Sequence, residues 1–149
     1  MEKVAEIDGV AFYNDSKSTT PHSTITALAA FSKPVILILG GKEKNLPFKK
    51  LAKVICQKAK AVFLIGETTK KWAKVLEKIK KKSKKPKLKL VKTSHTLTKA
   101  LKQIAQIAKR GDVVLLSPAT ASYDQFLDFE DRGEKFKEGI NAIFGQEKS

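Results

Sequence analysis

Val113-Val114-Leu115-Leu116-Ser117-Pro118-Ala119-Thr120-Ala121-Ser122-Tyr123-Asp124-Gln125-Phe126 is the stretch that decides how this chain is read. An apolar strand, Val113 to Leu116, runs out into a loop of small hydroxyl residues. The loop passes into an aromatic and acidic segment that ends at Arg132-Gly133. In an open α/β sheet, ligands bind at the carboxyl ends of strands. A Ser/Thr-rich loop in that place offers hydroxyls and backbone N–H groups to a carboxylate or phosphate. A helix cap after a buried strand is the plainer reading of a lone Ser-Pro. The length of this stretch, and two further loops of similar character, favour a ligand site.

Working outward, the other apolar segments alternate between strand and helix patterns. Pro34 to Leu39 and Ala61 to Ile65 are continuous apolar runs, as expected of strands covered on both faces. Lys3 to Ile7 and Val10 to Asn14 read as two short strands, with the hairpin signal Asp8-Gly9 between them. Leu88 to Val91 reads as another short strand. Helices are predicted over Ser23–Phe31, Phe48–Lys58, Thr68–Lys80, Leu97–Ala108 and from about Arg132 to Phe144, with Gly111 as a C-cap of the fourth. Strands separated by helices imply βαβ units with right-handed crossovers. The expected fold is α/β and Rossmann-like. It has about six strands in a mostly parallel sheet, an antiparallel edge from the hairpin, and helices on both faces.

Bulk composition narrows the function. The chain has 149 residues, enough for one domain with a substantial core, and 42% of them are hydrophobic. No run approaches the roughly 18 apolar residues of a membrane span. No signal peptide opens the chain. Cys56, the only cysteine, allows no intrachain disulfide, and its neighbours Val54 and Ile55 place it on a buried helix face. These features point to a cytoplasmic protein. His22 and His95 are too few and too far apart in sequence to suggest a metal site, and read as surface or cap residues.

The net charge of +15 raises nucleic-acid or anionic-surface binding as an alternative class. The basic excess concentrates between Lys70 and Lys92. It is built of lysines without interleaved aromatics over 78–90, and Arg110 and Arg132 are the only arginines. Base stacking and bidentate base reading favour aromatics and Arg, so a specific nucleic-acid site is not expected. The segment also reads as the end of an amphipathic helix, a turn at Pro86 and a strand, with the stretch around Ser83 as a mobile loop.

Two more loops follow strands. Tyr13-Asn14-Asp15-Ser16-Lys17-Ser18-Thr19-Thr20-Pro21 supplies a carboxylate, a lysine and several hydroxyls. Asp15 could accept from a ribose diol, Lys17 could meet an anion, and Thr19 could donate to a carboxylate. The same residues equally suit an Asx-turn leading into a helix cap. Gly40-Gly41-Lys42-Glu43-Lys44-Asn45 combines adjacent glycines, which permit close backbone approach, with a point charge at Lys44. It departs from the phosphate-loop pattern, having no Ser or Thr after a Gly-Lys. All three loops follow parallel-type strands and should gather at one sheet edge.

In order and spacing, Asn14-Asp15-Ser16-Lys17-Ser18-Thr19, then Gly40-Gly41-x-x-Lys44, then Ser117-Pro118-Ala119-x-Ala121-Ser122-x-Asp124-x-Phe126-x-x-Phe129-Glu130-x-Arg132-Gly133-x-x-Phe136 resemble the C-terminal domain of the Mur ligases, in particular their D-glutamate-adding branch. The resemblance covers nearly the whole chain, and its third motif is the specific one. The Asn-Pro-Arg-type motif of the diaminopimelate- and lysine-adding branches is absent. The folylpolyglutamate-synthase type shares the expected architecture but not the Ser-Pro-Ala-x-Ala-Ser-x-Asp-x-Phe run, and stands as a second alternative.

The resemblance implies a reaction in peptidoglycan precursor synthesis. ATP phosphorylates the carboxylate of UDP-N-acetylmuramoyl-L-alanine, and the amine of D-glutamate attacks the acyl phosphate to give an amide. It implies that Thr19, Lys44, Ser122 and the backbone of Phe129 hold the D-glutamate carboxylates. Asp15 would hold the ATP ribose, and Lys17 would lie near its phosphates or at the nucleotide-side interface. It also implies that the ATP phosphate loop, the Mg2+ ligands and a modified lysine belong to a central domain, and the UDP-sugar site to an N-terminal one. A His-Arg pair that the family usually places just before the hairpin is missing. The chain is therefore expected to be one domain of a longer ligase, monomeric and inactive alone, with no catalytic residue of its own.

Overall fold

The computed structural model describes residues 1–42 and 48–145. Six strands and five helices follow one another as β1 (Glu2–Ile7), β2 (Val10–Asn14), α1 (Pro21–Ala29), β3 (Val35–Leu39), α2 (Lys49–Lys58), β4 (Ala59–Ile65), α3 (Thr69–Lys82), β5 (Leu90–His95), α4 (Leu97–Ile107), β6 (Val113–Leu116) and α5 (Phe129–Phe144). They form one sheet of order β1-β2-β6-β3-β4-β5. Only β1 runs antiparallel, with Ile7 opposite Val10 and Glu2 opposite Asn14. The remaining neighbours are parallel. Asp8 and Gly9 take φ of 51° and 79°, the left-handed pair that a two-residue hairpin turn requires.

Strand periodicity sorts the core onto two faces. Leu37, Leu39, Val62, Leu64 and Leu115 pack with α1, α2 and α3 through Leu28, Ile55, Trp72 and Leu76. Ile36, Ile38, Phe63, Val114 and Leu116 pack with α4 and α5 through Leu101, Ile104, Phe136 and Ile140. All five residues of β3 are buried, because helices cover both of its sides. Cys56 lies buried on α2, as its apolar neighbours suggested.

Several expected boundaries are corrected. Helix α5 begins at Phe129, not near Arg132, because Asp128 caps it by accepting from the Asp131 N–H at 2.8 Å. Strand β5 runs from Leu90 to His95 rather than from Leu88 to Val91. As an edge strand it carries exposed polar residues that hide the pattern. Gly111 is not the C-cap of α4: Ala108 caps that helix in an extended conformation. Gly111, at φ 94°, instead turns the chain toward β6 and donates its N–H to Gly9 O. Ser83 closes α3, with its hydroxyl on Ile79 O at 2.9 Å. Among the described residues no helix is long and apolar enough to cross a membrane.

Candidate functional site

Strands β2, β6 and β3 are adjacent and parallel, so the loops that follow them leave the same edge of the sheet. Backbone hydrogen bonds lace them together. Asp15 N–H donates to Leu116 O at 2.8 Å and Ala119 N–H to Ser18 O at 2.9 Å. Gly40 N–H donates to Pro118 O at 2.9 Å and Lys42 N–H to Ala121 O at 2.8 Å. The chain after β4 and β5 joins the same edge, which sequence reading missed. There Thr68 N–H bonds Gly41 O, Gly66 N–H bonds His95 O, and Glu67 N–H donates to Asp124 Oδ2 at 2.9 Å.

A buried arginine ties the lacing together. Arg132 enters from the first turn of α5 and is fully buried. Its Nε donates to Ser16 Oγ at 2.8 Å, one terminal nitrogen to Ser16 O at 2.6 Å, and the other to Thr120 O at 3.0 Å. Ser16 Oγ in turn donates to Phe129 O at 2.7 Å. The guanidinium thus fixes the first loop, the third loop and the start of α5 in one geometry, a use suited to its planar fork of donors. Burial pulls its pKa down to about 10, with nearby Asp124 pushing back, so it stays charged at neutral pH. Thr120 Oγ1 and Asp124 Oδ1 are buried here with no hydrogen-bond partner among the described residues.

The structure places the sequence-predicted residues unequally. Asp15 is 5% exposed and sits in a hydroxyl cluster. Its Oδ2 accepts from Ser18 Oγ and from Ser117 Oγ at 2.8 Å, while Oδ1 lies 3.7 Å from the Met1 amino nitrogen. Lys17 is exposed and Thr19 half-buried. Ser122 is buried, and its carbonyl accepts from Phe126 N–H at 2.9 Å. The Phe129 carbonyl is occupied by Ser16, which leaves the N–H at the helix start as the backbone group that could face a ligand. Lys44 lies outside the described residues.

Lys17 and Phe129 share one open cleft of about 330 Å³, with Met1, Asn14, Ser16 and Gly133 among its walls. Gly133 packs close to this wall: a Cβ there would stand 2.7 Å from Asn14 Nδ2 and push the end of that side chain aside. Thr19 and Ser122 belong to the laced loops but not to the walls of this cleft. A larger groove of about 900 Å³ between α4 and α5 holds none of the residues that sequence reading assigned to ligands. Among the described residues no group of three or more His, Cys, Asp or Glu side chains could hold a metal ion. His22 and His95 are both exposed.

A doubly wound α/β domain with a polar, hydroxyl-rich carboxyl edge is thus the class the fold and the loops define. The chain belongs to the Mur ligase family: residues 1–120 match its glutamate ligase domain. It is similar to the UDP-N-acetylmuramoylalanine–D-glutamate ligase of Caldicellulosiruptor bescii, 44% identical over 143 residues, covering 96% of this chain and 30% of that protein. Among solved structures, it matches a murein peptide ligase from Psychrobacter arcticus (TM-score 0.68, 14% identity, 98% of this chain and 30% of that one). It also matches the MurF ligase of Thermotoga maritima in complex with ADP (TM-score 0.55, 22% identity, 93% and 30%). At such identities these two structures speak for the fold alone. The chain spans about 30% of the length of the curated relative.

Proposed function

We propose that this chain is the amino-acid- and nucleotide-contacting domain of an ATP-dependent ligase that joins D-glutamate to UDP-N-acetylmuramoyl-L-alanine in peptidoglycan precursor synthesis. The observation that carries this reading is the edge where the loops after β2, β3 and β6 are bonded into one rigid unit. A dicarboxylate needs two separated anion sites. Thr19, Lys44, Ser122 and the Phe129 N–H supply donors of the right kind, and the relative named as a D-glutamate ligase favours that amino acid.

The family uses ATP, and Asp15 and Lys17 are the residues here assigned to it. Asp15 Oδ1 accepts from neither Ser18 nor Ser117 and lies 3.7 Å from the Met1 amino nitrogen, so a ribose hydroxyl would take the place of that ion pair. Lys17 is exposed, as an ammonium that meets phosphate must be. ATP supplies the phosphoryl group that activates the substrate carboxylate. This domain's part is to position the incoming amine by holding both carboxylates of its amino acid. The Mg2+ ligands are assigned to the rest of the ligase.

The test is an assay of the full-length ligase with UDP-N-acetylmuramoyl-L-alanine, ATP and each candidate amino acid. Phosphate release that depends on D-glutamate is the expected result. No turnover by a well-folded full-length protein with any amino acid overturns the proposal. The 149-residue chain alone is expected to be inactive, and ATP-dependent amide formation by it would contradict the division of labour assigned here.

A further inference from the structure

We infer that the amino-terminal end of the sheet, opposite the ligand loops, is a docking face for an anionic phospholipid membrane. Twelve lysines and a single acid, Glu77, lie between Lys70 and Lys92, so this segment holds most of the chain's net charge of +15. Helix α3 starts beside the ligand loops and runs back to Lys82. Strand β5 starts beside Ala61, at the beginning of β4. The lysines of 78–89 therefore gather at the amino-terminal end of the sheet. The backbone is pinned there at two of them: Lys87 N–H donates to Cys56 O at 2.8 Å and Lys89 N–H to Lys60 O at 2.9 Å. Lys33, Lys58, Lys109 and Arg110 come from the chain entering or preceding β3, β4 and β6 and add positive charge at the same end, where the acids are Asp8 and Asp112, the latter paired with Lys60, and where Lys33 and Lys58 also donate to Gly111 O and Phe31 O.

Ordinary structural uses account for only part of this. Lys80, Lys81 and Lys82 suit the C-terminal end of α3, and Lys89 and Lys92 protect an edge strand from pairing. Lys78, Lys84, Lys85 and Lys87 serve neither use. All four are exposed, and none forms an ion pair among the described residues. Packed like charges repel one another and weaken the fold. An anionic surface removes that cost.

The chemistry selects a membrane over a nucleic acid. Lys49, Lys71, Lys78 and Lys82 wall a small cleft of about 280 Å³ over Phe48, Val75 and Ile79, but the rest of the charge spreads outside it over the sheet end, where no continuous groove could track a strand. It is carried by Lys, and the only aromatic in 70–92, Trp72, is fully buried, while the exposed Tyr123 and Phe129 lie at the opposite edge of the sheet. Mobile headgroups can move to meet fixed ammonium groups, so a fluid anionic bilayer fits such a pattern without geometric matching. No exposed large hydrophobic residue lies in 70–92, so the attachment is electrostatic, without insertion. Acidic residues concentrate on the other side, at Asp128, Glu130, Asp131, Glu134 and Glu138 of α5 and its cap. This asymmetry would turn the ligand loops away from the bilayer and leave them open.

The experiment is sedimentation of the chain with vesicles of phosphatidylcholine, with and without phosphatidylglycerol, over a range of salt. Binding that requires phosphatidylglycerol and is lost as salt rises is expected. The triple variant Lys78→Glu, Lys82→Glu, Lys85→Glu should weaken binding by more than about tenfold. The same charge change at Lys99, Lys102 and Lys135 should weaken it by less than about threefold, because those residues lie on α4 and α5 away from this end. If the Glu triple does not fold, the matching Lys→Gln triple, followed by circular dichroism, replaces it. Equal losses in both triples, equal binding to pure phosphatidylcholine, or tighter binding to single-stranded RNA than to the vesicles at the same salt overturns the inference.

Discussion

Arg132 Nε and Ser16 Oγ are 2.8 Å apart, although 116 positions separate them in the chain. The bond ties the loop after β2 to the helix that follows β6. The same guanidinium also grips Thr120 O, so two of the three loops at this edge share one buried anchor. Lysine cannot reproduce this, because one ammonium point charge cannot span acceptors on both loops as a planar fork does.

Arg132→Ala should therefore lower the stability of this chain by about 3 kcal/mol, read by urea denaturation. Arg132→Lys should recover only part of the loss. In the full-length ligase both variants should raise the KM for the amino acid, since the loops that hold it lose their common anchor. Unchanged stability in the Ala variant would mean that the backbone lacing alone sets the loop positions.

The fold was legible because its buried strands are blunt signals. Pro34–Leu39, Ala61–Ile65 and Val113–Leu116 are continuous apolar runs whose pattern survives any register. Strand β5 was misplaced because its exposed edge position tolerates Lys92, Thr93 and His95. The anchor itself was not legible. Arg132, Thr120 and Asp124 are polar, and polarity in a sequence reads as exposure; only the fold brings Ser16 to the arginine and lets it be buried. Asp15 was singled out for a ligand, yet its contacts with Ser18 and Ser117 give it a structural part that spacing does not reveal.

Gly40 marks the tightest point of the edge. Its φ of 113° suits glycine, and a Cβ there would stand 2.2 Å from Ile65 O, a backbone atom of β4 that cannot swing away. Gly40→Ala should cost about 3 kcal/mol through strain and backbone displacement. Thermal denaturation checks the loss. A wild-type midpoint would show that the edge yields more easily than its packing implies.

Cys56 offers a probe of the core beneath the basic face. Burial raises its pKa, with Lys80 opposing in the smaller part, so both access and thiolate fraction are low. A disulfide reagent should leave the thiol unmodified in the native chain near neutral pH and label it fully in urea. The labelling rate in water should follow the opening of the domain. Fast labelling of the native chain would show that α2 separates from the sheet without global unfolding.

The proposed division between amino-acid and nucleotide groups has its own signature. In the full-length ligase, Lys44→Ala and Ser122→Ala should raise the D-glutamate KM far more than the ATP KM, because each would remove a donor from a carboxylate. Asp15→Asn should act the other way, on ATP, and for a double reason. Its Oδ2 accepts from both Ser18 and Ser117, so an amide in its place also lowers the stability of the isolated chain, by about 1–2 kcal/mol. The two effects separate by measurement. A fall in denaturation midpoint without a change in either KM assigns Asp15 to loop architecture alone. Equal shifts of both KM values for Lys44→Ala would contradict a dedicated carboxylate role, since a residue that acts on one ligand should leave the affinity of the other near its starting value.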